Sequence, residues 1–264
     1  MSSQKTIWIT GASDGIGAAL VASFCKENVR LVLSARNEEK LLKVAKKNNL
    51  KPENYLLLPF DLSEKNDYKA LVNKVLENFY TIDILILNAG VSQKSFAEET
   101  LETVERTIME TNYFSNVALS KAVVEAMKKQ NTSAKIVVVT SIIAKFGAPF
   151  LSTYAASKAA LNNYFEALRY EIEKYNIGVL IVTPGFIRTN IDVKALSGDG
   201  SPFNEASKAQ AKGTAPEKVA YAIFNALKTN KKHIFVGGIE TLIPRFKFFF
   251  PNTFYRIWKK LHQL

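Results

Sequence analysis

Short apolar runs alternate with amphipathic stretches along nearly the whole chain. Ile7 to Thr10, Arg30 to Ala35, Tyr55 to Pro59, Ile84 to Leu87, Lys135 to Thr140, Val179 to Thr183 and His233 to Val236 have the pattern of buried strands. Between them the apolar positions recur at helical spacing: Ile16 to about Lys26, Glu38 to Lys47, about Glu64 to Phe79, and Thr100 to Lys129. A further helix carries Tyr154, Lys158, Leu161, Phe165 and Leu168. Thr214-Ala215-Pro216-Glu217 reads as a capping box opening a last helix that ends near Lys228. Strand followed by helix, repeated, predicts one doubly wound parallel sheet, an α/β domain with helices on both faces. From Phe186 to Lys212 the pattern lapses into polar residues around Ser197-Gly198-Asp199-Gly200-Ser201, which reads as a mobile lid with short helical pieces.

Composition narrows the class. At 264 residues and 47% hydrophobic, the chain has the length and apolar content for a single sizeable core, and disorder is excluded. Cys25 stands alone, so neither an intramolecular disulfide nor an all-cysteine metal site can form, and a reducing compartment is expected. With only His233 and His262 besides, no metal is expected. Met1 to Lys5 is polar and short, unlike a signal peptide, and no run reaches the roughly 18 apolar residues of a spanning helix. The expected location is intracellular, in the cytoplasm or on the cytoplasmic face of an internal membrane. The net charge of +11 is concentrated at one end: eight basic residues follow from Lys228 onward, against Glu240 alone. Charge so localised disfavours a nucleic-acid-binding groove.

The strand ends carry the candidate chemistry. Gly11-Ala12-Ser13-Asp14-Gly15-Ile16-Gly17 lies between the first strand and the first helix, where glycines let a backbone approach a pyrophosphate seated on the helix N-terminus. The second strand ends at Ala35-Arg36, where an acid would bind the adenine ribose and an arginine accommodates a 2′-phosphate. That favours NADP(H) over NAD(H), although Asp14 brings a negative charge to the same region. Ser141 falls at the carboxyl end of the fifth strand, where open parallel sheets bind ligands. Tyr154 and Lys158 lie four residues apart, one above the other on a helix face. An ammonium beside a phenol stabilises the phenolate and eases proton transfer. Asn112 sits mid-helix, where its propensity is mildly unfavourable.

In this order the motifs resemble the short-chain dehydrogenase/reductase superfamily, over about residues 5 to 240. Thr10-Gly11-Ala12-Ser13-Asp14-Gly15-Ile16-Gly17 matches its T-G-x-x-x-G-I-G turn, Asp61-Leu62 its adenine contact, and Asn88-Ala89-Gly90 its sheet-stabilising turn. Ser141 precedes Tyr154 by thirteen residues, Lys158 completes Y-x-x-x-K, and Pro184-Gly185, with Ile187 and Thr189 after it, matches the nicotinamide-contacting segment. The resemblance implies a single-domain Rossmann fold over residues 1–240, with the lid at 186–212. It implies that Tyr154 exchanges a proton with the substrate oxygen and that Ser141 holds that oxygen. Lys158 would lower the tyrosine pKa and hold the nicotinamide ribose, and Asn112 would position a relay water. A ketone or secondary alcohol substrate follows, with a homo-oligomer, dimer or tetramer, as the expected state. An NADPH-dependent carbonyl reductase is the main reading; an NAD-dependent alcohol dehydrogenase and a non-catalytic dinucleotide-binding scaffold are the alternatives.

Residues 241–264 form an aromatic-basic extension, Leu242-Ile243-Pro244-Arg245-Phe246-Lys247-Phe248-Phe249-Phe250-Pro251 and then Phe254 to Leu261. Rings mixed with cations suit peripheral contact with a membrane and a lipophilic substrate. Packing over the substrate cleft or against a partner subunit is the other reading.

Overall fold

Alternate residues of the central strands feed opposite cores. In the computed structural model, which describes residues 4–205 and 207–261, Ile7, Ile9, Ile84, Ile86, Val137 and Val139 face one apolar layer. Trp8, Leu85, Leu87, Ile136 and Val138 face the other. This is the period of two expected of a pleated strand buried on both faces.

Seven strands form one sheet: β1 (Lys5–Thr10), β2 (Val29–Ser34), β3 (Tyr55–Leu57), β4 (Ile84–Leu87), β5 (Ala134–Val139), β6 (Ile177–Pro184) and β7 (His233–Val236). Their spatial order is β3-β2-β1-β4-β5-β6-β7, and every pairing is parallel. Helices α1 (Gly15–Phe24), α2 (Glu38–Lys47) and α8 (Pro216–Lys228) cover one face; α3 (Tyr68–Phe79), α5 (Ser115–Gln130) and α6 (Ser152–Ile172) cover the other. The doubly wound single domain is as the alternation predicts. The order reverses between β1 and β4, and the crevice beyond their carboxyl ends is where such sheets bind ligands.

Three local expectations need correction. The amphipathic stretch 100–129 is two helices, α4 (Glu102–Met109) and α5, joined by a π-helical turn at Glu110–Phe114 that contains Asn112. α3 begins at Tyr68 rather than Glu64, because Ser63 and Asn66 are drawn into hydrogen bonds with Asp61 and Asp67 supplies the N-cap. The capping box at Thr214 does not form. The backbone of Thr214 pairs with that of Phe186 and Arg188 in an extended bridge, so α8 starts at Pro216 with Ala215 as N-cap. Proline at the first helical position loses no hydrogen bond there.

The segment 186–212 holds a short helix, α7 (Lys208–Ala211). The chain then closes with α9 (Ile243–Phe249) and α10 (Pro251–Leu261). Phe254 of α10 is 3% exposed and, with Trp258, packs on Phe146, which follows β5. His262 of the aromatic-basic extension lies outside the described residues.

Candidate active site

A cleft of about 680 Å³ runs along the carboxyl ends of β1, β2, β4, β5 and β6. All the catalytic and cofactor-binding candidates read from the sequence line it except Gly17 and Asn112, which support it from behind. At its start, Gly11 and Gly15 hold positive φ, +66° and +52°, as only glycine does without strain. Gly17 lies so close beneath Gly11 that a Cβ there would overlap the Gly11 carbonyl oxygen. Asn88 clamps the same turn, its Nδ2 donating to the carbonyl of Thr10 at 3.1 Å. The Thr10 hydroxyl in turn accepts from the backbone N–H groups of Asn88 and Ala89.

Asp14 caps α1 by accepting from the Gly15 N–H at 2.7 Å, and it also pairs with Lys194 and Asn190 of the segment 186–212. Partial burial pushes the Asp14 carboxyl up, but hydrogen bonds from Lys194, Asn190 and Gly15 outweigh it and hold the group below its usual range. Its negative charge is therefore matched locally. Across the cleft floor Arg36 is largely exposed and approaches Asp61 at 4.0 Å. Contact at that distance between exposed groups contributes little and leaves the guanidinium available.

At the other end Ser141, Tyr154 and Lys158 converge. Ser141 caps the short 3₁₀ turn Ile142–Lys145, and its hydroxyl hydrogen-bonds the Tyr154 phenol. Lys158 is buried, with Nζ donating to the Val139 carbonyl at 3.3 Å, and a Cβ on Gly90 would stand only 3.0 Å from that nitrogen. Asn112 spends its amide on Val91, accepting from its N–H at 2.8 Å and donating to its carbonyl at 2.9 Å, and donates to Ser157 at 3.0 Å. The side chain thus ties the π-helical turn to the strand-end loop and to α6.

Burial governs both ionisable partners. It lowers Lys158 to about 8. It raises Tyr154 to about 12, opposed by the Ser141 hydrogen bond and assisted by the charge of Asp192. At neutral pH the phenol is therefore a proton donor. Between about 8 and 10.5 the unfolded chain holds a Lys158 proton that the folded chain has lost, so folding stability rises with pH across that window. Between about 10 and 12 the folded chain keeps a Tyr154 proton that the unfolded chain loses, so stability falls again. The urea midpoint of the wild type should gain on that of Lys158→Met as pH goes from 8 to 10. A constant difference between the two would refute the depressed ammonium.

Four supporting residues are not among the candidates read from the sequence. Gln93 is fully buried, and its Oε1 accepts from the N–H groups of Thr153 (2.8 Å) and Tyr154 (3.3 Å), while Nε2 donates to Thr100 and Ser152. The N-cap residue of α6, Leu151, offers no side-chain bond, so Gln93 caps that helix from a distant loop. Two unsatisfied buried N–H groups would cost about 1–3 kcal/mol each. Glu240 accepts from the N–H groups of Phe186 and Gly238, bracing the segment after Pro184-Gly185. Lys194 and Asn190 tie the segment 186–212 to Asp14. Only Glu240 offered a hint, as the single acid in a basic stretch.

Comparison with known proteins gives a consistent picture. The short chain dehydrogenase family pattern matches residues 5–199. A Xenopus tropicalis protein named dehydrogenase/reductase SDR family member 7B is 36% identical over 262 residues, covering 96% of this chain and 84% of that protein. Among solved structures, a short-chain dehydrogenase from Streptomyces avermitilis is 26% identical and superposes with a TM-score of 0.82, covering 99% of this chain and 98% of that one. A Burkholderia phymatum short chain dehydrogenase/reductase in complex with NAD shares the fold at 22% identity and a TM-score of 0.79, covering 88% of this chain and 89% of that one.

Proposed function

The chain belongs to the short-chain dehydrogenase/reductase family, and on that premise we propose that it is an NADPH-dependent carbonyl reductase, interconverting a lipophilic ketone and its secondary alcohol. The observation that carries this is the convergence of Ser141, Tyr154 and Lys158 at one end of the cleft, with Arg36 at the other.

The cleft fits a dinucleotide. No Cβ intrudes at Gly11, Gly15 or Gly17, so the first turn of α1 is open to a pyrophosphate. Arg36, and Lys40 on the first turn of α2, offer cations to a 2′-phosphate where β2 ends without an acid. Pro184, Gly185, Ile187 and Thr189 would bound the nicotinamide end. When bound, the cofactor supplies or accepts the hydride.

The chain supplies the proton chemistry. Ser141 and Tyr154 can both donate hydrogen bonds to a carbonyl oxygen, fixing it in place. Tyr154, protonated at neutral pH, gives that oxygen its proton as negative charge develops there. The Lys158 ammonium stabilises the phenolate left behind and can hold ribose hydroxyls. Asn112 and Lys158 both lie beside Gly90, and Asn112 would position the water through which the pair regains its proton. Val91, Ile142, Ile143, Phe146, Leu151 and Trp258 line the cleft around this centre, an apolar wall that supports a lipophilic substrate.

NADPH oxidation measured across a panel of ketones and aldehydes, and repeated with NADH, tests reaction and cofactor together. Arg36→Asp is expected to raise the KM for NADPH about tenfold and to lower that for NADH. If both cofactors respond alike to the substitution, the 2′-phosphate assignment fails.

A further inference from the structure

The last two helices have two unlike sides. On α10, Phe254 and Trp258 turn inward onto Phe146, and Trp258 joins Ile243 in lining the cleft. Ile257 and Leu261 continue the same apolar side of the helix, yet they are 45% and 68% exposed. At the junction of α9 and α10, Phe248, Phe249 and Phe250 stand 78%, 69% and 58% exposed. Single exposed rings are ordinary, but three in succession beside an uncovered helix edge mark a docking surface.

Charge identifies the occupant. Residues 241–261 contain Arg245, Lys247, Arg256, Lys259 and Lys260 and no acid. Among the described residues none of these five forms an ion pair. In a two-fold dimer built on this patch the cations would face their own copies. An anionic lipid surface instead receives the rings among its acyl chains and the cations at its headgroups. No helix among the described residues is long and apolar enough to cross a bilayer, so the contact is peripheral.

We propose that Phe248–Phe250 and the exposed edge of α10 dock on an anionic lipid bilayer. Because Ile243 and Trp258 wall the cleft, docking brings its mouth to the lipid surface, the source of the lipophilic substrate. This last step rests on the reductase reading; the docking itself does not.

The test is co-sedimentation of the full chain with vesicles of phosphatidylcholine alone and of phosphatidylcholine containing phosphatidylserine. Wild type should pellet with the anionic vesicles and about tenfold less with the neutral ones. Combining Phe248→Ser, Phe249→Ser and Phe250→Ser should reduce binding about tenfold or more, with an unchanged circular dichroism spectrum. Combining Arg256→Glu, Lys259→Glu and Lys260→Glu should remove the preference for anionic vesicles. Equal pelleting of wild type and both variants overturns the proposal, as does self-association in sedimentation velocity that the serine variant abolishes. None of these residues lines the cleft, so NADPH oxidation with a water-soluble ketone should survive in both variants. Pelleting needs no turnover, so failure of the reductase reading would leave the docking result intact and visible as such.

Discussion

Tyr154→Phe is expected to lower kcat for carbonyl reduction by about three orders of magnitude while dinucleotide affinity stays within a few-fold. The substitution removes one oxygen and leaves the ring among Ile142, Phe146 and Phe254, so the apolar cluster is kept. What disappears is the phenol that hydrogen-bonds Ser141. Water cannot easily replace it, because the tyrosine is buried and the wall around it is apolar. Loss of a single hydrogen bond should change stability by only about 1 kcal/mol. Single-turnover oxidation of prebound NADPH, with affinity from fluorescence titration, separates chemistry from binding. Activity near that of the wild type would sink the proton-donor role.

Gly17→Ala should weaken NADPH binding about a hundredfold, at the severe end of overpacking costs. The added methyl would overlap the Gly11 oxygen and stand 2.7 Å from its carbonyl carbon and 2.9 Å from Asn88 Nδ2. Those neighbours cannot step aside cheaply. Gly11 is already in the left-handed region, and Asn88 Nδ2 reaches both the Thr10 and Gly11 carbonyls. The turn must open, and with it the approach to the start of α1. Calorimetric titration with NADPH measures the effect, and thermal melting shows how much of the strain the fold absorbs. Unaltered affinity would mean that this turn does not cradle the cofactor.

The sheet was legible because a parallel strand buried on both faces must be apolar throughout, as Ile84–Leu87 illustrates. Ser141, Tyr154 and Lys158 were legible because strand end and helix period fix their placement locally. Gln93 was not: its partners lie about 60 residues away, and nothing in Val91-Ser92-Gln93 announces them. The capping box at Thr214 misled for a related reason, since a bridge to Ile187 claimed its backbone before the helix could. The π-helical turn answers to the buried pairing of Asn112 with Val91, again a contact that helical period cannot express. In the C-terminal extension the mixture of rings and cations was plain, whereas the division between an inward Phe254 and an outward Phe248 depends on where the helices come to rest.

The capping of α6 by Gln93 bears on how transferable this centre is. A helix carrying tyrosine and lysine four residues apart could be grafted onto another scaffold with both of those groups included. It would arrive with a bare first turn, because its anchor belongs to a different loop. Reactivity here is owned by the assembled topology, and the helix merely displays it.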